Sequence, residues 1–278
     1  MFDHELLKGP LFDYRPNAIN VPRVDFHNFS IACWCVNLLD YSQMSYKRIL
    51  LKISGEQLSG KFEGGIDPEV VGWLANQVKE VSADTQVVIM VGGGNFVRGA
   101  QIAGHGIQRV TADHMGMLGT MINALALTDI FETHGLKTRC LSNIFAEQVA
   151  EKFVHRLANK HLAKGRVVIV AGGSGRPYVT TDTAAVILGL ELGCDVVLKA
   201  TKVDGVYDKD PAQDQNAVKI EHLTYQQAVE DDAIKVMDKA ALGLAMEQHM
   251  PVIVFDAMGE GNLARVVSGD KTVGTIIQ

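Results

Sequence analysis

The chain has 278 residues, of which 47% are hydrophobic and 21% charged, and its formal net charge at pH 7 is −6. This length and apolar content allow a substantial core, in one large domain or two small ones. The net negative charge, with no long block of Lys or Arg, argues against binding to duplex nucleic acid or to an anionic membrane. A bound anion must therefore be held by a local arrangement of donors.

The cysteines and the first apolar run do not indicate export. Cys33, Cys35, Cys140 and Cys194 lack CxxC spacing, so neither a disulfide framework nor a zinc ribbon is predicted. The run SIACWCVNLL is too short to span a bilayer, and no basic segment precedes it. We expect a cytoplasmic protein with reduced thiols; the alternative is a metal site or redox pair at Cys33 and Cys35.

Residues 1–43 differ from the rest of the chain. They show no clear helical or alternating period, whereas a strand-like run begins just after Met44, in MSYKRILLKISGE. We expect the folded domain to cover residues 44–278. For residues 1–43 we weigh an upstream misassignment of the start site, which Met44 makes easy, against a disordered regulatory tail or a small interaction segment.

Short β-branched runs alternate with helical segments along the remaining chain. Asp67 and Pro68 have the pattern of an N-cap and a first-turn proline. A second helix is predicted from Asp113 to His134, ended by Gly135. Repetition of strand, helix and strand predicts a mostly parallel sheet with helices on both faces. The predicted strands are RILLKI, TQVVIMV, KTRCLS, RVVIVA, CDVVLKA, PVIVFD and TVGTII.

Three predicted strands end in glycine-bearing loops, LLKISGE, VGGGNFVRG and AGGSGRPYVTTD. Ligands of parallel sheets bind at the carboxyl ends of the strands, and glycine lets backbone N–H groups approach a phosphate. No GxxxxGK[ST] motif occurs, and Val97 and Tyr178 stand where GxGxxG needs its third glycine. The loops therefore predict phosphate binding that is of neither the P-loop nor the Rossmann type; a single such loop would be explained by a simple turn.

Three charged residues lie beside these loops. Lys52 ends an apolar run, where its ammonium can stabilise charge on a transferring phosphoryl group; the alternative is a solvated strand-end lysine. Arg98 offers a planar fork for phosphate. Asp113, at the predicted start of a helix, can accept hydrogen bonds from sugar hydroxyls or simply cap the helix.

Six motifs follow one another in order: YKRILLKISGE, GGGNFVRG, DHMGMLGTMINALAL, TTDTAA, DVVLKATKVDGVYDKDP and IKVMDKAA. With them, residues 46–278 closely resemble the bacterial uridylate (UMP) kinases of the amino-acid-kinase superfamily. The resemblance implies a three-layer α/β/α sandwich that assembles as a homohexamer. It also implies transfer of the ATP γ-phosphoryl group to UMP in pyrimidine nucleotide biosynthesis, with Mg²⁺ carried by the ATP phosphates. Allosteric control by UTP or GTP is common in the family, but these residues do not predict it.

The resemblance further implies roles for individual residues. Lys52 and Asp182 would be catalytic, with Asp182 orienting the lysine and the metal-bound phosphates; a helix cap is the alternative for Asp182. No metal ligand from the protein is implied. The implied ATP contacts are Lys52, Ser54, Gly55, Gly94, Thr201, Tyr207 near the base and Asp210 near the ribose. The implied UMP contacts are Gly93, Arg98, Asp113, Ser174, Gly175, Arg176, Pro177, Tyr178, Val179, Thr180 and Thr181. Lesser electrostatic contributors would be Asp238, Lys199, Lys202 and Lys235.

The chain departs from the family pattern in the UMP loop, where Ser174 and Arg176 stand at positions that are commonly Thr and Asn. Two other functions stay open. One is phosphorylation of a carboxylate or carbamate by another member of the superfamily, against which KATKVDGVY, Arg98 and the helix at Asp113 argue. The other is a nucleotide-binding storage or regulatory protein, against which Lys52, Asp182 and Asp210 argue.

Overall fold

The structure is a computed structural model that describes residues 45–103, 106–209, 214, 216–231 and 236–278. The expectations for residues 1–43, Asp210 and Lys235 lie outside the described residues and stay predictions. No helix among the described residues combines the length and the apolar character that crossing a membrane requires.

All seven predicted strands are present, with bounds within two residues of the predicted runs. The structure adds four strands of two residues each, which are too short to show a period in the sequence. The strands are β1 (Arg48–Ile53), β2 (Gln86–Val91), β3 (Thr138–Ser142), β4 (Glu151–Lys152), β5 (Val167–Ala171), β6 (Val196–Thr201), β7 (Val206–Tyr207), β8 (Lys219–Ile220), β9 (His222–Leu223), β10 (Val252–Asp256) and β11 (Gly274–Ile277).

Nine of these strands form one sheet in the order β4-β3-β5-β2-β1-β6-β10-β11-β9. Neighbouring strands are parallel except for β10 and β11, which are antiparallel. β7 and β8 form a separate antiparallel ribbon. The prediction of a mostly parallel central sheet is therefore confirmed.

Of the two helix starts that the sequence predicts, at Pro68 and at Asp113, the first is confirmed. Asp67 caps the first helix, since its carboxylate accepts a hydrogen bond from N of Glu69 at 3.0 Å. The predicted start at Asp113 is wrong: that helix begins at Arg109, because an ion pair between Arg109 and Asp113 supports one more turn. The helices are α1 (Pro68–Val81), α2 (Gly99–Ile102), α3 (Arg109–Thr133), α4 (His155–Leu162), α5 (Thr181–Glu191), α6 (Tyr225–Glu230), α7 (Lys239–Glu247) and α8 (Asn262–Val267).

Alternation along β1 divides the core into two parts. Ile49, Leu51 and Ile53 pack in one cluster with apolar residues of α1, α3 and α8. Leu50 packs in the other cluster, with α4, α5, α6 and α7. The helices thus cover both faces of the sheet, as the three-layer prediction requires. Because side chains alternate along a strand, Lys52 shares the face of Leu50, which is the face that α5 covers.

Candidate active site

Lys52, Asp182 and Lys199 meet in one buried group, here called the Lys–Asp–Lys cluster. Lys52 of β1 pairs with Lys199 of β6 in the parallel register, so that the two side chains lie side by side. Nζ of Lys52 is 2.6 Å from Oδ1 of Asp182, and Nζ of Lys199 is 2.6 Å from Oδ2. One carboxylate from the first turn of α5 therefore bridges ammonium groups of two neighbouring strands.

The cluster is charged although it is buried. The side chains of Lys52, Asp182 and Lys199 are 9%, 13% and 14% exposed. Burial alone would raise the pKa of Asp182, but the two lysines hold that pKa below its ordinary value. Burial lowers the pKa of Lys199; Asp182 opposes this shift and Lys52 adds to it. When all three groups are ionised, two positive charges and one negative charge leave one positive charge in excess.

Two hydroxyl groups in the first turn of α5 donate hydrogen bonds to the carboxylate of Asp238. Thr180 is the N-cap of α5, and its Oγ1 accepts from N of Asp182 at 3.1 Å and from N of Thr183 at 3.2 Å. The hydroxyl of Thr180 donates to Asp238, and that of Thr183 does so at 2.8 Å. Asp182 is therefore not the helix cap that was its alternative explanation. Asp238 is itself the N-cap of α7, so it joins two helix ends beside the cluster.

The loop after β1 contacts both neighbouring strand ends. Ser54 begins a 3-10 turn, and its N donates to Oε1 of Gln57 at 2.9 Å. A Cβ on Gly55 would lie 2.3 Å from Oδ1 of Asn95, so only glycine fits there. Nε2 of Gln57 donates to O of Thr201 at 3.0 Å. Three residues predicted to contact ATP, namely Ser54, Gly55 and Thr201, thus lie along one edge of the site.

The two predicted glycine contacts in the loop after β2 differ in their surroundings. A Cβ on Gly93 would lie 2.5 Å from O of Gly116 and 2.8 Å from N of Thr120, so α3 packs directly on this glycine. A Cβ on Gly94 would lie 3.1 Å from Oε1 of Glu56. Gly93 therefore has a packing reason to be glycine, besides its predicted contact with UMP.

Arg98, the predicted clamp for the UMP phosphate, forms an ion pair with Glu56. The two side chains are 49% and 39% exposed. Arg98 ends the loop that begins with the glycines after β2, and Glu56 lies in the turn after β1. The sequence predicted no role for this carboxylate.

Asp113 ties α3 to the predicted UMP loop. Nε of Arg109 lies 2.8 Å and 3.0 Å from the two carboxylate oxygens of Asp113, and N of Tyr178 donates to one of them at 2.8 Å. The guanidinium of Arg109 lies 5.1 Å from the ring centroid of Tyr178. Burial would raise the pKa of Asp113, but Arg109 and the Tyr178 N–H lower it overall. The carboxylate is therefore held in place and ionised, which suits its predicted role as an acceptor for ribose hydroxyls.

A cavity of about 160 Å³ opens between α3 and the loop after β5. Ligand pockets are commonly about 300–1,000 Å³, so this cavity suits one part of a nucleotide rather than a whole one. Its lining includes five of the predicted UMP contacts: Gly93, Asp113, Ser174, Val179 and Thr181. The other lining residues are Val97, Gly99, Gly116, Met117, Thr120 and Gly173.

The other predicted UMP contacts of this loop, Gly175, Arg176, Pro177, Tyr178 and Thr180, are not among the residues that line this cavity. Gly175 has φ +71°, and a Cβ on it would lie 2.7 Å from O of Asn143, so the turn requires glycine. Oγ of Ser174 accepts from N of Arg176 at 3.2 Å, so the hydroxyl that replaces the family's threonine closes a local turn. The side chains of Arg176 and Tyr178 are exposed.

Tyr207, predicted to lie near the ATP base, is in β7, outside the main sheet. Its hydroxyl donates to Oδ1 of Asp204 at 2.6 Å, and this hydrogen bond raises the pKa of Tyr207. Nζ of Lys219 lies 3.2 Å from Oδ2 of the same carboxylate. Lys202 is exposed. The role of Tyr207 stays a prediction.

The residues near the cluster fit a metal ion that is held mostly by its substrate. Within the described part of the chain, no three His, Cys, Asp or Glu side chains are grouped so as to hold a metal ion. Oδ1 of Asp182 is buried, and its contact with Lys52 is an ion pair without an aligned hydrogen bond, which leaves a lone pair for a further ligand. One carboxylate with substrate phosphates and water is a common environment for Mg²⁺.

Two residues make contacts in the site that the sequence analysis did not predict. Lys199 was predicted only as a lesser electrostatic contributor. Its position near the end of the apolar run VVLKA corresponds to that of Lys52 in RILLKI, and this similarity could have indicated its place in the site. Thr120 had no predicted role. Its Oγ1 donates to O of Met117 at 2.6 Å and accepts from N of Gly172 at 2.7 Å. That bond joins α3 to the loop after β5, which only the tertiary structure reveals.

Comparison with known proteins agrees with this architecture. The amino acid kinase family model matches residues 47–256. A uridylate kinase of Xanthomonas oryzae pv. oryzae is 48% identical over 238 residues, which are 85% of this chain and 98% of that protein. The structure of a UMP kinase from Bacillus anthracis matches with a TM-score of 0.80 and 36% identity over 84% of this chain and 97% of its own. A UMP kinase from Ureaplasma parvum matches with a TM-score of 0.78 and 33% identity over 84% of this chain and 100% of its own.

Proposed function

The chain belongs to the amino acid kinase family, and from this premise we propose that it transfers the γ-phosphoryl group of ATP to UMP, giving UDP and ADP. The reaction is a step of pyrimidine nucleotide biosynthesis, and we place it in the cytoplasm. The observation that carries the proposal is the Lys–Asp–Lys cluster, which places ammonium groups of two strands at the carboxyl edge of the sheet. The cavity beside α3 supplies the acceptor side.

The cluster provides charge where phosphoryl transfer needs it. The transition state spreads negative charge over the oxygens of the transferring group, and fixed positive groups stabilise it without reorganisation. Asp182 holds both ammonium groups in place, and its own charge leaves one positive charge in excess. Lys52 therefore neutralises the transferring group, while Asp182, which is itself bound by Lys199, keeps Lys52 in position.

The acceptor needs positioning more than activation. The second pKa of a phosphate monoester is about 6, so the UMP phosphate is largely ionised near neutral pH and no general base is required. Asp113 would accept hydrogen bonds from the ribose, and Ser174, Val179 and Thr181 would enclose the nucleoside in the cavity that they line. Loop and helix thus hold the attacking oxygen in line.

Mg²⁺ is part of this proposal. Bound to the ATP phosphates, Mg²⁺ would neutralise part of their charge. Asp182, the buried carboxylate of the cluster, would bind the ion or one of its water ligands. Ser54 and Gly55 would hold the donor phosphates from the loop after β1, and Thr201 would lie beside them.

A substrate comparison tests the function. Purified protein is expected to release ADP from ATP when UMP and Mg²⁺ are present. The rate of ADP release is expected to be strongly reduced without Mg²⁺. It is also expected to be far slower when CMP, aspartate or glutamate replaces UMP. ADP release driven by aspartate or glutamate would indicate a carboxylate kinase instead. Tight ATP binding with no UDP formed under any of these conditions would indicate a storage or regulatory protein.

We also propose that the protein assembles as a homohexamer in which α3 contributes a contact. Leu118 and Ile122 lie one turn apart on α3 and are 56% and 47% exposed, so they form an exposed apolar patch on one face of this helix. The double variant Leu118→Glu, Ile122→Glu is expected to give a smaller assembly by light scattering after gel filtration. The control Asn76→Glu adds a charge to an exposed position of α1 and is expected to leave the mass unchanged. An unchanged mass for the double variant would exclude this contact.

A further inference from the structure

A partly exposed carboxylate of the protein lies among the groups predicted to hold nucleotide phosphates. Glu56 follows Ser54 and Gly55 directly in the turn after β1. Its carboxylate forms the ion pair with Arg98 and lies beside Gly94, whose Cβ would be 3.1 Å from Oε1. The carboxylate thus lies beside Arg98 and Gly94, and it follows Ser54 and Gly55 in the chain; the family resemblance implies contacts with ATP or UMP for all four of these residues.

The position of Glu56 conflicts with simple phosphate binding. Carboxylate and phosphate use the same fork of guanidinium donors, so Arg98 cannot give its full set of N–H groups to both. A negative charge at this place also repels the phosphate groups that the loop is expected to hold. Glu56 therefore does not add to phosphate affinity in the arrangement seen.

We propose that Glu56 sets the affinity for a nucleotide phosphate. In the free protein its carboxylate binds the guanidinium of Arg98, and the phosphate displaces this carboxylate when substrate binds. This inference rests on the proposed function, because it takes Arg98 as a phosphate ligand. Both side chains are about half exposed, so the pair can open into solvent without leaving a buried charge behind.

The exchange has a direct consequence for turnover. An arginine that binds substrate and transition state equally well lowers KM without raising kcat, and it also retains the product. The carboxylate of Glu56 competes with the product phosphate for the guanidinium of Arg98. This competition lowers the affinity for the diphosphate product and so favours its release. Removal of its charge is expected to tighten phosphate binding, the opposite of what the loss of a supporting residue would do.

The test measures binding by calorimetry for the wild type and for Glu56→Gln, which keeps the shape and removes the charge. The Kd for UMP is expected to fall about three- to ten-fold in Glu56→Gln, since an exposed ion pair and a nearby repulsion are both removed. The Kd for uridine, which lacks the phosphate, is expected to stay the same. Glu56→Ala serves as a second variant and is expected to change the Kd for UMP in the same direction.

Titration with ATP distinguishes which nucleotide competes with the carboxylate. Tighter UMP binding assigns the exchange to the acceptor phosphate, and tighter ATP binding alone assigns it to the donor. In the Arg98→Met background, Glu56→Gln is expected to change either Kd by less than about two-fold, because the shared partner is gone. Tighter binding of either nucleotide, together with the loss of this effect in the Arg98→Met background, supports the displacement of Glu56 by a phosphate.

A matched control separates a local effect from one of net charge. Glu69 forms an exposed ion pair with Lys61 at the start of α1, and Glu69→Gln removes one negative charge without touching Arg98. That variant is expected to bind UMP and ATP as the wild type does. If Glu56→Gln binds both nucleotides with unchanged or lower affinity, or if Glu69→Gln tightens them equally, the inference is wrong. A wild type that binds neither nucleotide would instead overturn the proposed function together with it.

Discussion

Lys52→Ala is expected to lower kcat by about 10²–10³-fold while the Kd for UMP changes far less. The reason is that the ammonium group faces charge that develops only as the phosphoryl group is transferred. Its neighbours Asp182 and Lys199 are buried with it, so no water can readily replace it. Single-turnover phosphoryl transfer and equilibrium binding of UMP, measured on the same preparation, separate the two effects.

Two further variants sharpen this experiment. Lys52→Arg keeps the charge but replaces a compact ammonium with a planar fork, so it is expected to restore only part of the rate. Lys61→Ala removes a lysine whose side chain is 64% exposed and is expected to leave kcat unchanged. Equal losses in rate and in UMP affinity for Lys52→Ala would show that the lysine binds ground state and transition state alike.

The framework of the fold is predictable because its signals are local. The seven longer strands are β-branched apolar runs, and Asp67 with Pro68 marks a helix start that the structure confirms. The predicted start of α3 was wrong. Asp113 is by itself a favourable cap residue, but its ion-pair partner Arg109 lies one turn earlier in the same helix. A local preference was overridden there by a side-chain pair.

The site is predictable only in part, because its contacts cross the sheet. Loop glycines and Lys52 are visible in the sequence, but the pairing of Lys52 with Lys199 depends on which strands are neighbours and on their register. β1 and β6 are separated by more than a hundred residues in the chain, yet they are adjacent in the sheet. The partner of Arg98 is likewise set by the folded arrangement of two loops.

Asp182→Asn is expected to destabilise the fold by about 3–5 kcal/mol, although the substitution changes few atoms. Without the carboxylate, two buried ammonium groups lie side by side with no counterion among their cluster partners. The midpoint of urea unfolding at neutral pH measures the loss. Asp270→Asn, which breaks an exposed pair with Arg265, is the control and is expected to cost about 1 kcal/mol or less.

The pH dependence of this loss follows from the lowered pKa of Asp182. A carboxyl whose pKa is lower in the folded chain than its unfolded value of about 3.9 contributes stability that is fully present above that value. The contribution is lost as the pH falls through the folded pKa. The contribution of the Asp182 carboxylate to the difference between wild type and Asp182→Asn is therefore expected to be fully present from neutral pH down to about pH 5 and to shrink only below about pH 4.

A triple variant distinguishes a cost of charge from a cost of packing. Lys52→Met, Asp182→Leu and Lys199→Met together replace the cluster with apolar side chains of similar length, and buried ion groups replaced in this way often leave stability unchanged or raise it. The triple variant is therefore expected to regain the stability that Asp182→Asn loses while having no kinase activity. If it is as unstable as Asp182→Asn, the cluster is required for the packing of α5 against β1 and β6. If it regains stability, Asp182 is retained for catalysis, because the fold alone does not need the charges.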